Sequence, residues 1–342
     1  MPKTAELVQA VYLSQQNQDL QIKGGNMRRL NAGTGRYYVN SDKEAFCSST
    51  TFVGAVLPQS KHLDNWRMKM LQHLGSTQKV EEYVLATADY GTLLHIAVGE
   101  FCKTTKEKPL NLFELEGWFF SEFHDVLKFP KQVANAATDD IMKDFIAIVQ
   151  FFHDYDCTVI AVELPVYFRT TEVLRERTVN PYGGIATQID FVVKMRKTPK
   201  SKEYHNVLVN LKSGKSGFFD AHLYQLLAER DCYNARFGDV LPIHEVANLA
   251  PNNWQTKPTY KFKLRTEEAD KAKDKYLNYL SIADINGVLS PPSKSFLQWG
   301  GQISIGDNPT ETITRVSFED LVNSLEVEEE KQAPDLTGEL PF

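Results

Sequence analysis

The chain has 342 residues, of which 42% are hydrophobic and 24% are charged, and its formal net charge is −6. These proportions are ordinary for a globular domain and exclude collagen-like and wholly disordered classes. No apolar run approaches the roughly 20 residues that a membrane helix needs, and the N-terminus lacks the basic start and apolar stretch of a signal peptide. We therefore expect a cytoplasmic protein with no membrane partner, whose four scattered cysteines are reduced.

The first third of the chain is predominantly helical by pattern. Residues 1–35 predict a short helix followed by a Gly/Asn linker, and a short hairpin starts at Tyr37. Ser and Thr then precede an apolar run in SSTTFVGAVLP, which is typical of a capped helix start. Residues 60–105 have helical spacing of apolar side chains.

One face of the 60–105 segment carries a histidine between small residues. Gly91, His95 and Gly99 recur at intervals of four, so they share one side of a helix. Small neighbours allow a metal ion or a nucleic-acid backbone to approach the imidazole closely. A lone helical histidine is more often an ordinary surface or core residue, so the spacing alone leaves both interpretations open.

Residues 106–155 are rich in aromatic residues and helix formers, which predicts a helical insertion covering the sheet. Its aromatic side chains are suited to stacking on unpaired bases. Core packing is the commoner use of such residues, and both interpretations remain open.

Three charged residues lie on consecutive apolar strand patterns between residues 157 and 212. Glu163 lies in TVIAVELPVYF, Asp190 in GIATQIDFVVK, and Lys212 at the end of NVLVNLKSGK. A carboxylate inside an apolar strand is costly to bury unless a positive charge pairs with it. A divalent metal and a nearby lysine both meet that need, as in metal-assisted phosphodiester hydrolysis.

The remainder of the chain predicts a helix, two closing strands and a polar extension. Residues 220–237 have helical spacing and place His222 and Gln225 on one face, directed towards the strand ends. LPIHEVANLAPN and TYKFKLRT are typical of strands. After about residue 285 Pro, Gly, Ser and Thr become frequent, and the acidic tail is too polar to fold alone.

Six segments, taken together and in order, resemble the PD-(D/E)XK nuclease superfamily. They are SSTTFVGAVLP with HLDNWR behind it, GTLLH, ELPVY, GGIATQID, NLKSGK and HLYQLL. Their order and spacing are similar to those of the RecB-type exonuclease branch, which includes phage and mitochondrial single-strand DNA exonucleases. The resemblance covers roughly residues 36–265.

The resemblance implies an α/β fold, namely a restriction-endonuclease-like core with a mixed central sheet flanked by helices, a helical N-terminal region and a disordered acidic C-terminal tail. It implies metal ligation by His95, Asp190, residue 210 and the carbonyl of Leu211. Glu163 would assist them, Lys212 would be catalytic and Gln225 would support the site. The cofactor would be one or two Mg²⁺ or Mn²⁺ ions. Scattered cysteines argue against the iron–sulfur cluster that some relatives carry.

Residue 210 departs from the family pattern. The residue two before the catalytic lysine should be Asp or Glu, and this chain has Asn210, which strand periodicity places on the same face as Lys212. Three explanations are open: an engineered inactive variant, a natural pseudo-nuclease, or an enzyme that uses an amide ligand. The family also expects Tyr four residues after Gln225, where this chain has Glu229.

DNA, most readily single-stranded, is the expected partner. The net charge is negative, but basic residues concentrate in KMRKTPKSK between the two site strands and near the N-terminus, and local clusters matter more than the sum. A solvated turn is the plainer explanation of the same charges. The DNA-binding candidates are Lys194, Arg196, Lys197, Lys200, Lys202, Lys215, His222, Arg28 and Arg29.

The last residues, DLTGELPF, resemble the acidic tip of bacterial single-stranded DNA-binding proteins. The resemblance implies docking of Pro341 and Phe342 on replication proteins. We divide the chain into an N-terminal segment (1–35), a nuclease domain (36–283, with the 106–155 insertion), a loop-rich extension (284–325) and an acidic tail (326–342). The expected function is a metal-dependent DNA exonuclease acting on single-stranded DNA or DNA ends. We expect the chain as written to be slow or inactive, because Asn210 fills an acidic metal-ligand position. The alternative is a catalytically inactive DNA-binding or recruitment protein of the same fold.

Overall fold

The computed structural model describes residues 5–8, 27–32, 35–58, 61–105, 108–215, 217–291, 296–299 and 313–324. Pro341 and Phe342, with the rest of the acidic tail, lie outside these residues. No helix of this described part is long and apolar enough to cross a membrane.

The centre of the fold is one mixed sheet formed by nine strands of the described chain. These are β1 (Ala5–Val8), β2 (Met27–Ala32), β3 (Gly35–Val39), β4 (Ala45–Ser48), β5 (Thr158–Arg169), β6 (Gly184–Arg196), β7 (Tyr204–Leu211), β8 (Glu245–Pro251) and β9 (Tyr260–Leu264). Their order is β1-β2-β3-β4-β6-β7-β8-β9, with β5 also paired to β6. The pairs β4/β6 and β7/β8 are parallel and the others are antiparallel.

Helices cover both faces of this sheet. The α-helices of the described chain are α1 (Ser49–Val56), α2 (Lys61–Leu74), α3 (Thr77–Cys102), α4 (Leu112–Ser121), α5 (Lys131–Asp154), α6 (Thr170–Val173), α7 (Asp220–Phe237), α8 (Thr266–Ile285) and α9 (Phe318–Ser324). One face packs against α1, α7 and α8, and the other against α3, α4 and α5. Strands that are buried on both faces read as near-continuous apolar runs, which is why β5, β6 and β7 were recognisable in the sequence.

Strand β6 carries the feature that positions the site. One of its edges pairs with β5 along most of its length. The other edge is shared, because β4 pairs only with Ile185 and Ala186, whereas β7 pairs from Phe191 onwards. Among the described residues, positions 187–190 therefore have no strand partner on that edge. The chain leaves the sheet on either side of this opening, at Ser48 into α1 and at Lys212 into a loop.

The mixed α/β architecture with a helix-flanked mixed sheet is confirmed. The predicted cap is also confirmed, because the Ser48 hydroxyl accepts a hydrogen bond from the Thr51 amide at 3.0 Å. The insertion at 106–155 is helical, as α4 and α5 with a short π-helix (Glu122–Val126) between them.

Two expectations for the ends of the chain are wrong in part. Ala5–Val8 and Met27–Ala32 are strands of the central sheet rather than a helix and a linker. Within the loop-rich extension, β10 (Phe296–Trp299) and β11 (Ile313–Val316) pair as a two-stranded sheet ahead of α9. Short strands with polar residues carry too weak a period-2 signal to separate from a loop.

Candidate functional site

Glu163 and Asp190 lie opposite each other where two strands lose their normal alternation. The partners of Val162 and Leu164 are Phe191 and Ile189, so the register sets Glu163 across from Asp190. Residues two apart in a strand normally share a face. Here Val162 and Phe191 belong to the core under α3 and α5, whereas Leu164 and Ile189 belong to the core under α7 and α8.

The backbone of Glu163 accounts for the irregularity on β5. Its φ is 50°, in the left-handed region that non-glycine residues rarely adopt. Such a conformation persists only where surrounding structure holds it, and these outliers cluster at functional sites. Gln188 fixes the side chain by donating from Nε2 to Glu163 Oε2 at 2.6 Å.

Helix α3 brings the predicted histidine to these carboxylates. His95 Nδ1 lies 3.1 Å from Asp190 Oδ1, and the backbone amide of Leu211 donates to Asp190 Oδ2 at 2.6 Å. One ligand atom from each of His95, Glu163 and Asp190 lies within 4.8 Å of the other two. Three residues that are far apart in the sequence thus form one cluster.

The two glycines beside His95 lie on the side of α3 that faces Glu163 and the loop after β7. A Cβ on Gly91 would come within 2.9 Å of the Ser213 hydroxyl oxygen, and a Cβ on Gly99 would lie 3.8 Å from Glu163 Cγ. Gly91 therefore permits close approach to the loop after β7, whereas Gly99 leaves room for a methyl group. One face of α3 therefore contacts the site along its length, from the loop after Lys212 at Gly91 to Glu163 at Gly99.

Burial and mutual repulsion raise the pKa of Glu163. Burial first, and then the Asp190 carboxylate, bring the pKa to about 8, against the opposing charges of His95 and Lys103. Burial lowers the pKa of His95, but the Asp190 and Glu163 carboxylates together outweigh it and the net shift is upward. The side chains that could hold a metal ion here are the Glu163 and Asp190 carboxylates and the His95 imidazole.

Lys212 follows β7 directly and is held from helix α7. Its Nζ donates to Gln225 Oε1 at 2.9 Å, and Gln225 Nε2 donates to Glu229 Oε1 at 2.8 Å. Glu229 has no exposed surface. Gln225 thus lies where the sequence places it, in contact with the predicted catalytic lysine.

Asn210 also faces α7 and is almost fully buried. Its Nδ2 donates to Glu229 Oε1 at 3.0 Å, and its Oδ1 accepts from Asn248 Nδ2 at 3.4 Å. Both ends of the amide are therefore hydrogen-bonded within the protein. Burial, followed by the charge of Asp190, raises the pKa of Glu229 to about 8, and Lys212 with the two amide donors opposes the shift.

The loop after Lys212 is anchored to helix α5. Lys215 Nζ lies 2.9 Å from Asp144 Oδ1, and the Tyr90 hydroxyl donates to Asp144 Oδ2 at 2.8 Å. Lys261 Nζ also donates to the Lys215 carbonyl. Lys215, a DNA-binding candidate, thus has a structural role in holding this loop.

The basic turn between β6 and β7 does not lie beside the cluster, although it falls between the two site strands in the sequence. It is at the far end of both strands, because β7 runs for eight residues before Lys212. At about 3.3 Å per residue this separation is roughly 25 Å. Arg196 pairs with Asp156, Lys197 pairs with Glu203, and Lys194 lies over the Tyr204 ring.

The other DNA-binding candidates are spread over different elements. Arg28 and Arg29 are half-buried on β2. His222 lies in the first turn of α7, where its Nδ1 accepts from the Phe219 amide at 3.3 Å. Lys200 and Lys202 are exposed in the basic turn.

Sequence reasoning missed the supporting residues Gln188, Asn248 and Arg265 and gave Glu229 no role. Asn248 stands directly opposite Asn210 in the parallel β7/β8 register. A polar residue inside the apolar strand EVANLAP was the available signal, the same signal that identified Asp190. Glu229 lies four residues after Gln225, on the same side of one helix.

No protein-family model matches the chain, and no curated protein matches its sequence.

Proposed function

We propose that the chain is a divalent-metal-dependent DNA nuclease, acting as an exonuclease on single strands or DNA ends. The observation that carries this proposal is the meeting of Glu163, Asp190 and His95 within 4.8 Å, beside the opening in the sheet where Lys212 leaves β7. The sequence resemblance to PD-(D/E)XK nucleases supports the same assignment.

The donor set fits Mn²⁺ or Mg²⁺. Carboxylate oxygens are the ligands that both ions prefer, and the imidazole of His95 makes Mn²⁺ the better match. Two carboxylates that repel each other strongly enough to raise a pKa are stabilised by a divalent charge between them. When bound, the ion supplies Lewis-acid activation of the scissile phosphate and of water.

The protein groups then have separable tasks. Asp190 and His95 hold the ion, and Glu163, fixed by Gln188, assists from the opposite strand. One of the three ammonium N–H groups of Lys212 goes to Gln225, so another can donate to a phosphate oxygen or to the attacking water. Held there, the ammonium stabilises negative charge that develops in the transition state.

The test is Mn²⁺-dependent digestion of an end-labelled single-stranded oligonucleotide. The parent chain should cut, and Asp190→Asn and Lys212→Met should each slow cutting by about 100-fold or more, the usual range for loss of one electrostatic group at an active site. Lys271→Met on α8 is the matched control, since this lysine is exposed.

A thermal shift separates metal binding from chemistry. A bound ion stabilises the fold by RT ln(1 + [L]/Kd), about 2.7 kcal/mol at a hundredfold excess over Kd. Mn²⁺ should raise the Tm of the parent and of Lys212→Met, but not that of Asp190→Asn. Failure of the parent to cut single- or double-stranded DNA would contradict the proposal.

A second candidate function is a DNA-binding protein of the same fold without turnover. The neutral Asn210 at the acidic position of the motif favours it. In that case the parent would retain a labelled oligonucleotide with Mn²⁺ present and leave it intact.

A further inference from the structure

Glu229 is the acceptor at which two hydrogen-bond chains meet. Its side chain is fully buried on α7, and its oxygens accept hydrogen bonds from the side-chain amides of Asn210 and Gln225. Both chains begin at a cation, which fixes the direction of every bond between the cation and Glu229.

The first chain starts at Arg265, whose guanidinium can only donate. Arg265 Nη1 donates to Asn248 Oδ1 at 3.4 Å, so Asn248 must present its Nδ2 to Asn210 Oδ1, also at 3.4 Å. Asn210 in turn must present its own Nδ2 to Glu229, at 3.0 Å. The orientation of both amides thus follows from an obligate donor.

The second chain starts at Lys212, whose ammonium is also only a donor. It fixes Gln225 Oε1 as the acceptor and directs Gln225 Nε2 to Glu229 Oε1. Replacing the Glu229 carboxylate would leave Gln225 without its acceptor and release the amide that holds Lys212.

We propose that Asn210 and Glu229 are an exchanged acid–amide pair, in which the carboxylate that the acid-x-Lys motif expects on β7 is carried by α7. Glu229 is then a positioning residue that holds Lys212 through Gln225. This inference rests on the proposed nuclease function for its catalytic part, whereas the pairing itself is a property of the fold. Glu229 is not a metal ligand, because it has no exposed surface and both oxygens face amide donors.

The proposed pair predicts the effect of Asn210→Asp, the single substitution that restores the acidic residue of the motif. Asn210→Asp alone would replace the amide donor with a second buried carboxyl group about 3 Å from that of Glu229, and two such groups cannot both ionise without destabilising the site. The single repair should therefore weaken the protein.

Asn210→Asp combined with Glu229→Gln matches every donor with an acceptor again. The new amide on α7 can donate to the new carboxylate on β7 and accept from Gln225. That carboxylate can also accept from Asn248. Only the bond between positions 210 and 229 reverses, and both hydrogen-bond chains then end at the carboxylate on β7.

The experiment compares the parent with both single variants and with the exchanged double variant. Each single variant should lower kcat by about 100-fold with KM little changed, the scale for a displaced electrostatic group, and the double variant should recover to within about tenfold of the parent. Asn210→Asp should lower the Tm by about 5–10 °C, the scale expected for an unbalanced buried charge, and the double variant should recover at least half of this loss. Glu229→Gln should keep the Mn²⁺-induced rise in Tm, because the residue does not bind the ion.

Asp231→Asn is the matched control on the same helix, since its charged neighbours are Arg230 and Lys273 rather than the network; it should leave kcat unchanged. The proposal is overturned if Asn210→Asp alone matches or exceeds the parent in kcat and Tm, or if the double variant is no more stable than Asn210→Asp. If the parent cuts no DNA, the proposed function fails, and recovery of Tm in the double variant still decides the pairing.

Discussion

Glu163 shows how one residue can reverse the local geometry of a strand. A left-handed backbone at a non-glycine position costs on the order of 1–3 kcal/mol, and here it occurs in the middle of β5, opposite Asp190. This conformation places Val162 and Leu164 in the hydrophobic cores on opposite faces of the sheet. It also places the Glu163 carboxyl group beside His95 of α3. Nothing in TVIAVELPVYF predicts this conformation, since the letters read as an ordinary apolar strand.

His222 gives a prediction about acid stability. Burial first, and then the charges of Lys212 and Arg265, lower its pKa from 6.5 to about 4. The unfolded chain therefore binds more protons than the folded chain between these values, so stability is lost as the pH falls from about 6.5 towards 4. His222→Asn removes this contribution, and the asparagine oxygen can still accept from the Phe219 amide.

We expect urea denaturation of the parent to show an extra loss of about 2–3 kcal/mol between pH 7 and pH 4, relative to His222→Asn, on the basis of about 1.4 kcal/mol per pKa unit. The difference between the two proteins should stay constant above pH 7. Parallel pH profiles would show that His222 titrates normally in the folded protein.

Among the elements, helix α3 contributes to the site through the face that carries Gly91, His95 and Gly99. Glycine inside a helix costs about 1 kcal/mol relative to alanine, so Gly91 and Gly99 require a compensating reason. At Gly91 the reason is the close approach of Ser213, because an added Cβ would lie 2.9 Å from its hydroxyl oxygen. At Gly99 the nearest atom would lie 3.8 Å away, which is an ordinary contact.

The two glycines should therefore respond differently to alanine. Gly99→Ala should raise the free energy of unfolding by about 0.5–1 kcal/mol through helix propensity and leave nuclease activity intact. Gly91→Ala should displace Ser213 and the adjoining Lys212, and should lower kcat about tenfold or more, because small misplacements of a catalytic group are costly. Activity assays and urea denaturation of both variants measure these outcomes.

The added variant Ser213→Gly removes the atoms that the methyl group of Gly91→Ala would meet, so it should restore most of the activity lost in Gly91→Ala. Gly117→Ala in α4 is the propensity control, since nothing lies within 4 Å of a Cβ there. Equal effects of Gly91→Ala and Gly99→Ala would show that the close approach has no functional role.

Most of the elements that position the site were predictable, and the residues that join them were not. The strands around Glu163, Asp190 and Lys212 are long apolar runs, and the helix at 220–237 has the predicted bounds. The pairing of Asn210 with Glu229 requires α7 to cross over the end of β7. The spacing of residues in the sequence predicts which side chains share a face of a helix or strand. It does not predict which helices and strands pack against each other.

For the whole molecule, distance along the chain is a poor guide to distance from the site. The basic turn follows Asp190 by only a few residues, yet β6 and β7 carry it to the opposite end of the sheet, roughly 25 Å from Lys212. Any contribution of this turn to DNA binding must therefore come from a part of the substrate distant from the scissile bond.

Charge reversal in the turn tests this arrangement. Each lysine that contacts a phosphate of single-stranded DNA contributes about −0.7 to the slope of log affinity against log salt. Lys200→Glu with Lys202→Glu should raise KM for a long single-stranded oligonucleotide and reduce its salt dependence, while kcat stays constant because Lys212 and the carboxylate cluster are untouched. An oligonucleotide too short to reach from Lys212 to the turn should be cut equally well by both proteins. Lys271→Glu with Lys273→Glu on α8 makes the same change in net charge at another exposed surface, so an equal effect there would mean that overall charge, rather than the turn, governs binding.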